Sequence, residues 1–143
     1  MTAYIDPDPD NWQRFKDLPR DRPVHMLNLI KFHDLAQYPA DHPDHGNGIS
    51  GRDAYAIYAR GFRGVAEKLG AEMVWQGDLE CVVIGPDGEW DEAFVMGYPN
   101  SAAFFAMVAD PSYKADIVAH RTAAVKDSRL IRFGGQQGEA GLG

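Results

Sequence analysis

The chain has 143 residues, 45% of them hydrophobic and 24% charged, with 21 acidic against 14 basic side chains and a formal net charge of −7. That length suits one domain whose core needs neither metal nor disulfide, and the acidic balance argues against nucleic acid or an anionic membrane as the main partner. A single cysteine, Cys81, excludes an intrachain disulfide and a zinc finger, and no run of about 18 apolar residues is present to span a membrane.

The opening MTAYIDPDPD lacks a basic region followed by an apolar run, so a secretory leader is not expected and the expected location is the cytoplasm. Residues 1–22 read as an extension with a short helix. Asp8 is placed as its cap and Pro9 at its first position, with Trp12, Phe15 and Leu18 at three-residue spacing; Pro19 and Pro23 end it. The run Val24–Phe32 is short and dense in branched residues, which favours a strand. Val24, Met26, Ile30 and Phe32 fall on one face, Leu27 and Leu29 on the other, so both faces need cover.

Residues 33–49 turn to Asp, His, Pro, Gly and Asn and read as a long loop. Ser50 then caps a helix, with Asp53 three residues on. Ala54, Ile57, Tyr58, Phe62, Val65 and Leu69 form its apolar stripe, and Gly70 ends it. A second strand is expected over 71–84, bent near Gly77, with Cys81 inside it as a small buried hydrophobe. Gly85-Pro86-Asp87-Gly88 signals a turn into a third strand over 89–98, making an antiparallel hairpin. Asn100 or Ser101 opens a helix through Ala109, which Asp110-Pro111 interrupts and restarts towards Val125. A short strand over 128–133 follows, and the glycine-rich end, 134–143, reads as a mobile tail.

The domain over 23–133 thus has the order β-α-β-β-α-β of an α+β ferredoxin-like sandwich, with an antiparallel four-stranded sheet and an extra N-terminal helix. Helices normally cover one face of such a sheet. A first strand apolar on both faces needs a second cover, and another copy of the chain supplies it most simply. The expected assembly is a homodimer, a dimeric α/β barrel.

Several segments carry a resemblance. MLNLIKF, SGRDAYAIYARG, LGAEMVWQGD and EWDEAFVMGYPNSAAFFAMVADPSYKADIVAHRTAAVKDSRLI, spread over roughly residues 24–132, resemble the family called domain of unknown function 1330, within the dimeric α/β-barrel superfamily. The resemblance implies the fold and the dimer. It implies no activity, since the family has no general assigned reaction.

Candidate ligand-binding residues are Asn28, Tyr55, Tyr58, Trp75, Tyr98, Tyr113, His120 and Arg121. Asn28 is an amide among apolar strand residues, which either satisfies itself on neighbouring backbone or holds a ligand. Tyr55 and Tyr58 lie one helical turn apart, and Trp75, Trp90 and Tyr98 add aromatics to the hairpin; such walls suit a small-molecule pocket and equally a core. Arg121 is suited to a ligand carboxylate or to a structural pair with Asp91 or another acid, and His120 to proton transfer. Lys31 and His25 read as polar groups at strand ends. His33, Asp34, His42, Asp44 and His45 in the loop match no metal-binding spacing, so no metal is expected. No glycine-rich phosphate loop or G-x-S-x-G elbow occurs, and no cofactor is expected.

Three functional readings stand at this level. The first is a small-molecule-binding protein for an apolar or aromatic ligand. The second, implied by the superfamily, is a cofactor-free monooxygenase or isomerase. The Asn-Trp-His pattern of its haem-degrading members is not reproduced, because His120 comes too late after the third strand. The third is a non-catalytic assembly or stress-associated protein whose aromatics are all core and interface.

Overall fold

The computed structural model describes residues 3–135, so the tail expected over 134–143 lies outside the described residues from 136 on. Its elements are α1 (Pro9–Asp17), β1 (Val24–Phe32), α2 (Gly51–Lys68), β2 (Glu72–Asp78), β3 (Glu92–Tyr98), α3 (Ser101–Ala109), a π-helical turn (Tyr113–Ile117), α4 (Val118–Ala124) and β4 (Val125–Phe133). The sheet order is β2-β3-β1-β4 with every neighbouring pair antiparallel, which is the ferredoxin-like arrangement.

The ends of the helices follow from their cap residues. Asp8 Oδ2 accepts the Asn11 N–H at 3.0 Å, Ser50 Oγ the Asp53 N–H at 2.9 Å, and Asn100 Oδ1 the Ala103 N–H at 2.9 Å. After α2, Gly70 takes φ +79°, and the Gly70 and Ala71 N–H groups bond the Glu67 and Ala66 carbonyls. That Schellman turn reverses the chain straight into β2. Asp110 Oδ1 accepts from the Ser112 and Tyr113 N–H groups, restarting the helix after Pro111.

Helices cover one face of the sheet. Val24, Met26, Ile30 and Phe32 of β1 are buried there with Phe94, Met96 and Tyr98 of β3, against Ala54, Tyr55, Tyr58, Phe62 and Val65 of α2 and Phe104 and Met107 of α3. Helix α1 adds Trp12 and Phe15, whose rings meet Phe104 and Phe105 at 5.0–6.4 Å between centroids. Leu18 leaves that stripe and is exposed at the C-terminal cap.

The second and third strands are shorter than their apolar composition suggests. Strand β2 stops at Asp78 and β3 starts at Glu92, and beyond them only the Leu79 N–H continues the ladder, to the Asp91 carbonyl. Asp91 has been drawn to β1: its N–H donates to the Ile30 carbonyl, and its carboxylate takes the Phe32 N–H and Lys31 Nζ. Residues 80–90 therefore have no strand to pair with. Val83 is 88% and Ile84 94% exposed, and Cys81 is exposed rather than buried.

Candidate functional site

A cleft of about 310 Å³ opens between α2 and the β2–β3 edge of the sheet. It forms there because β2 is an edge strand whose side chains α2 leaves largely uncovered. Its wall on α2 is Tyr55, Tyr58, Phe62 and Ala66, spaced by three or four residues and so stacked along one helix face. The Tyr55 and Tyr58 centroids are 5.2 Å apart, and Tyr58 stacks on Phe62 at 5.7 Å. The opposite wall is Phe94 and Met96 of β3 with Met73 and Gln76 of β2. Met73 and Gln76 are three apart, a spacing that normally divides two strand residues between opposite faces. The register shift between Met73 and Trp75 restores them to one face, opposite Met96 and Phe94. Ala59, Arg63, Glu67, Ala71 and Glu72 complete the lining.

One end of the cleft is polar. Gln76 Nε2 donates to Glu92 Oε1 at 3.3 Å. Glu92 stands beside Phe94 in the alternation of β3, only 9% exposed, and its Oε2 has no partner among the described residues. Burial pushes its carboxyl above the usual carboxylate range and Asp78 adds to this; the Gln76 hydrogen bond and Arg52 work the other way. Burial also holds the Tyr55 and Tyr58 hydroxyls well above the ordinary tyrosine range, so both are neutral donors at physiological pH.

The sequence candidates separate into several places. Tyr55 and Tyr58 line the cleft, and Tyr113 stands behind it with its hydroxyl 3.1 Å from that of Tyr58. Trp75 does not join them. It pairs with Val95 on the opposite, helix-free face of the sheet and is 55% exposed. Tyr98 is buried and borders a second, more polar hollow with Pro23, His25 and Pro99. Asn28 is half-buried on the helix-facing side and satisfies itself, Nδ2 donating to the Met26 carbonyl at 3.1 Å.

Arg121 bonds neither a carboxylate nor Asp91, which is engaged with Lys31. It donates to the Ile5 carbonyl at 2.8 Å and to Ser128 Oγ at 3.3 Å, and Ser128 Oγ in turn donates to the Tyr4 carbonyl. The guanidinium thus clamps the N-terminal segment onto β4. His120 lies in another cluster, sharing a 2.6 Å hydrogen bond with the Tyr38 hydroxyl, and His42 stacks on Tyr38 at 4.7 Å. His45 Nδ1 lies 2.8 Å from the Tyr38 carbonyl. These loop histidines hold the loop together, and among the described residues no three His, Cys, Asp or Glu side chains are grouped to hold a metal ion.

Sequence reasoning did not single out Phe62, Gln76, Glu92, Phe94 or Met96 as site residues. A signal for Glu92 was present: it is the one charge on the face that carries Phe94, Met96 and Tyr98 at every second position.

The fold has counterparts among solved structures. The RPA0582 protein of Rhodopseudomonas palustris, a protein of unknown function, is 42% identical over 96% of this chain and 100% of its own, with a TM-score of 0.85. This chain belongs to the same family. The methylated RPA0582 protein superposes equally, with a TM-score of 0.85 at 43% identity over 96% of this chain and 98% of that one. SnoaB from Streptomyces nogalater, a cofactor-independent oxygenase, shares the fold alone: its TM-score is 0.50 at 14% identity, over 82% of this chain and 96% of its own. No family model and no curated protein matches the chain.

Proposed function

We propose that the protein binds a small, largely apolar or aromatic molecule in the cleft between α2 and the β2–β3 edge. The same reading makes the chain a member of the domain of unknown function 1330 group and one half of a homodimer. The observation that carries the ligand reading is the composition of the cleft: Tyr55, Tyr58, Phe62, Phe94 and Met96 form apolar walls, and Gln76 supplies a polar end. Its volume of about 310 Å³ lies at the lower end of the range of small-molecule sites, about 300–1,000 Å³. These side chains belong to the core on one side and border open space on the other. This favours binding over the reading in which every aromatic is packing.

Thermal denaturation with a panel of phenols, quinones, lactones and aromatic acids tests the proposal. A ligand present at a hundred times its Kd stabilises the folded chain by about 2.7 kcal/mol. For a domain of this size that raises Tm by several degrees, roughly 2–8 °C for each kcal/mol. Ala59→Phe, which fills the cleft from α2, is expected to abolish the shift. A panel with no stabilising member would remove the proposal. Oxygen uptake with the stabilising compounds then measures whether binding leads to cofactor-free oxidation.

A further inference from the structure

At the polar end of the cleft Gln76 is backed by Glu92, which does not itself line it, and the two side chains have unequal freedom. Glu92 is held in the sheet, nine-tenths buried, with one oxygen receiving the Gln76 amide and the other receiving nothing from the described residues. Gln76 is exposed and lines the cleft. A carboxylate only accepts hydrogen bonds, so the Gln76 amide must turn its NH₂ towards Glu92. That leaves the Gln76 carbonyl oxygen as an acceptor with no partner among the described residues.

We propose that Glu92 is a positioning residue that fixes the orientation of Gln76, and that Gln76 thereby selects ligands carrying a hydrogen-bond donor, an aromatic hydroxyl above all. The inference rests on the cleft being a ligand site. The charges lining the rest of the cleft agree with it. Glu67 and Glu72 stand against Arg63 in the lining, so a carboxylate ligand is disfavoured and a neutral hydroxyl is not. The groups facing Glu92 are Arg52 and Tyr55 from α2 and Asp78 and Gln76 from β2, while its β1 neighbour is the apolar Ile30.

Protonation of Glu92 removes the constraint on the pair. A protonated carboxyl has one O–H donor and keeps an acceptor oxygen, so the amide is no longer held in one orientation and can also turn its NH₂ to the cleft. Ligands that accept hydrogen bonds gain at that point.

Three probes of one shape test this: 2-naphthol, its methyl ether and 2-acetonaphthone, each titrated by isothermal calorimetry against the wild-type chain, Gln76→Leu and Glu92→Met. Wild type near neutral pH is expected to bind the naphthol several-fold, up to about ten times, more tightly than the ether, the loss of one well-made hydrogen bond. Gln76→Leu is expected to bind the two alike. Glu92→Met keeps the apolar volume and frees the amide to turn, so the naphthol loses its advantage and the ketone gains. Lowering the pH moves wild type in the same direction as Glu92→Met, and leaves Gln76→Leu unmoved. Equal binding of naphthol and ether to wild type, or selectivity that survives Gln76→Leu, overturns the selection while leaving the cleft as a site. Failure of all three probes to bind overturns the selection, and the ligand reading beneath it falls only if the thermal-denaturation panel also holds no stabilising member.

Discussion

Glu92 occupies a position on β3 where its neighbours two residues apart, Phe94 and Met96, are core residues. A buried carboxyl oxygen without a partner costs on the order of 1–3 kcal/mol, and Gln76 offsets only part of this through one 3.3 Å bond. Glu92→Met conserves length and volume and removes the cost, so the variant is expected to gain about 1–3 kcal/mol in urea unfolding. The pH dependence carries a sign that separates this from simple repacking. The carboxyl pKa is raised in the folded chain, so the folded state binds the proton more readily than the unfolded one. Stability from that proton is complete below the usual 4.5 and is lost as pH rises through the higher folded-state value. The advantage of Glu92→Met must therefore grow from about pH 4 towards neutrality; an advantage that stays constant with pH would mean that packing alone is responsible. A site residue more costly than its replacement is what a binding role predicts.

At the scale of elements, the sequence pattern was legible wherever one local rule decided the outcome. Asp8, Ser50, Asn100 and Gly70 each mark a helix end through a single side chain or a single φ, and β1 has the predicted residues 24–32. Tyr55 and Tyr58 reach the cleft because helix periodicity fixes which residues share a face. The rest depended on partners distant in the chain. The apolar run 79–84 has strand composition, yet Asp91 is bonded to β1 and leaves it nothing to pair with. Trp75 passes to the other face of the sheet through the shift after Met73, which no alternation shows in advance. The histidines of 33–49 became legible as loop fasteners only when α4 brought His120 against Tyr38. That contact is itself testable. Burial lowers the His120 pKa, with Asp44 opposing and His42 adding to the effect. The folded chain thus binds this proton less readily than the unfolded one, so the contribution is complete above the usual 6.5 and lost as pH falls through it towards the folded-state value. The Gln37 amide, which bonds the Ala123 carbonyl across this junction, is expected to lose exchange protection between about pH 7 and pH 5. His33 is lowered as well, so His120→Gln is the control: it should remove most of the pH dependence at Gln37. Unchanged dependence in that variant would move the effect to His33.

For the molecule as a whole, the decisive surface is the sheet face without helices. Leu27 lies between Val95 and Ile131 across three strands, Trp75 follows beside Val95, and Phe133 stands opposite His25. Trp75, Phe133 and Ile131 are 55%, 50% and 40% exposed. Contiguous apolar surface of this kind marks an interaction site. Towards the edges the face turns polar, with Lys31 paired to Asp91 and Arg129 to Asp127, the arrangement of an apolar interface core with a charged rim. The occupant argued above is a second copy, and a twofold axis has a consequence that a different partner lacks: every substitution enters the interface twice. Ile131→Glu would bury two carboxylates against apolar neighbours, and the dimer dissociation constant is expected to rise at least about 100-fold. Sedimentation equilibrium reads this directly, with wild type dimeric at micromolar concentration and the variant monomeric. Wild-type Tm should also climb with protein concentration, because association draws on the folded state, while the Tm of Ile131→Glu should not. The cleft lies on the other side of the sheet, so the monomeric variant is expected to keep its ligand response; loss of both together would mean that the substitution unfolds the sheet. A wild-type chain that sediments as a monomer at those concentrations would leave this face without its second copy.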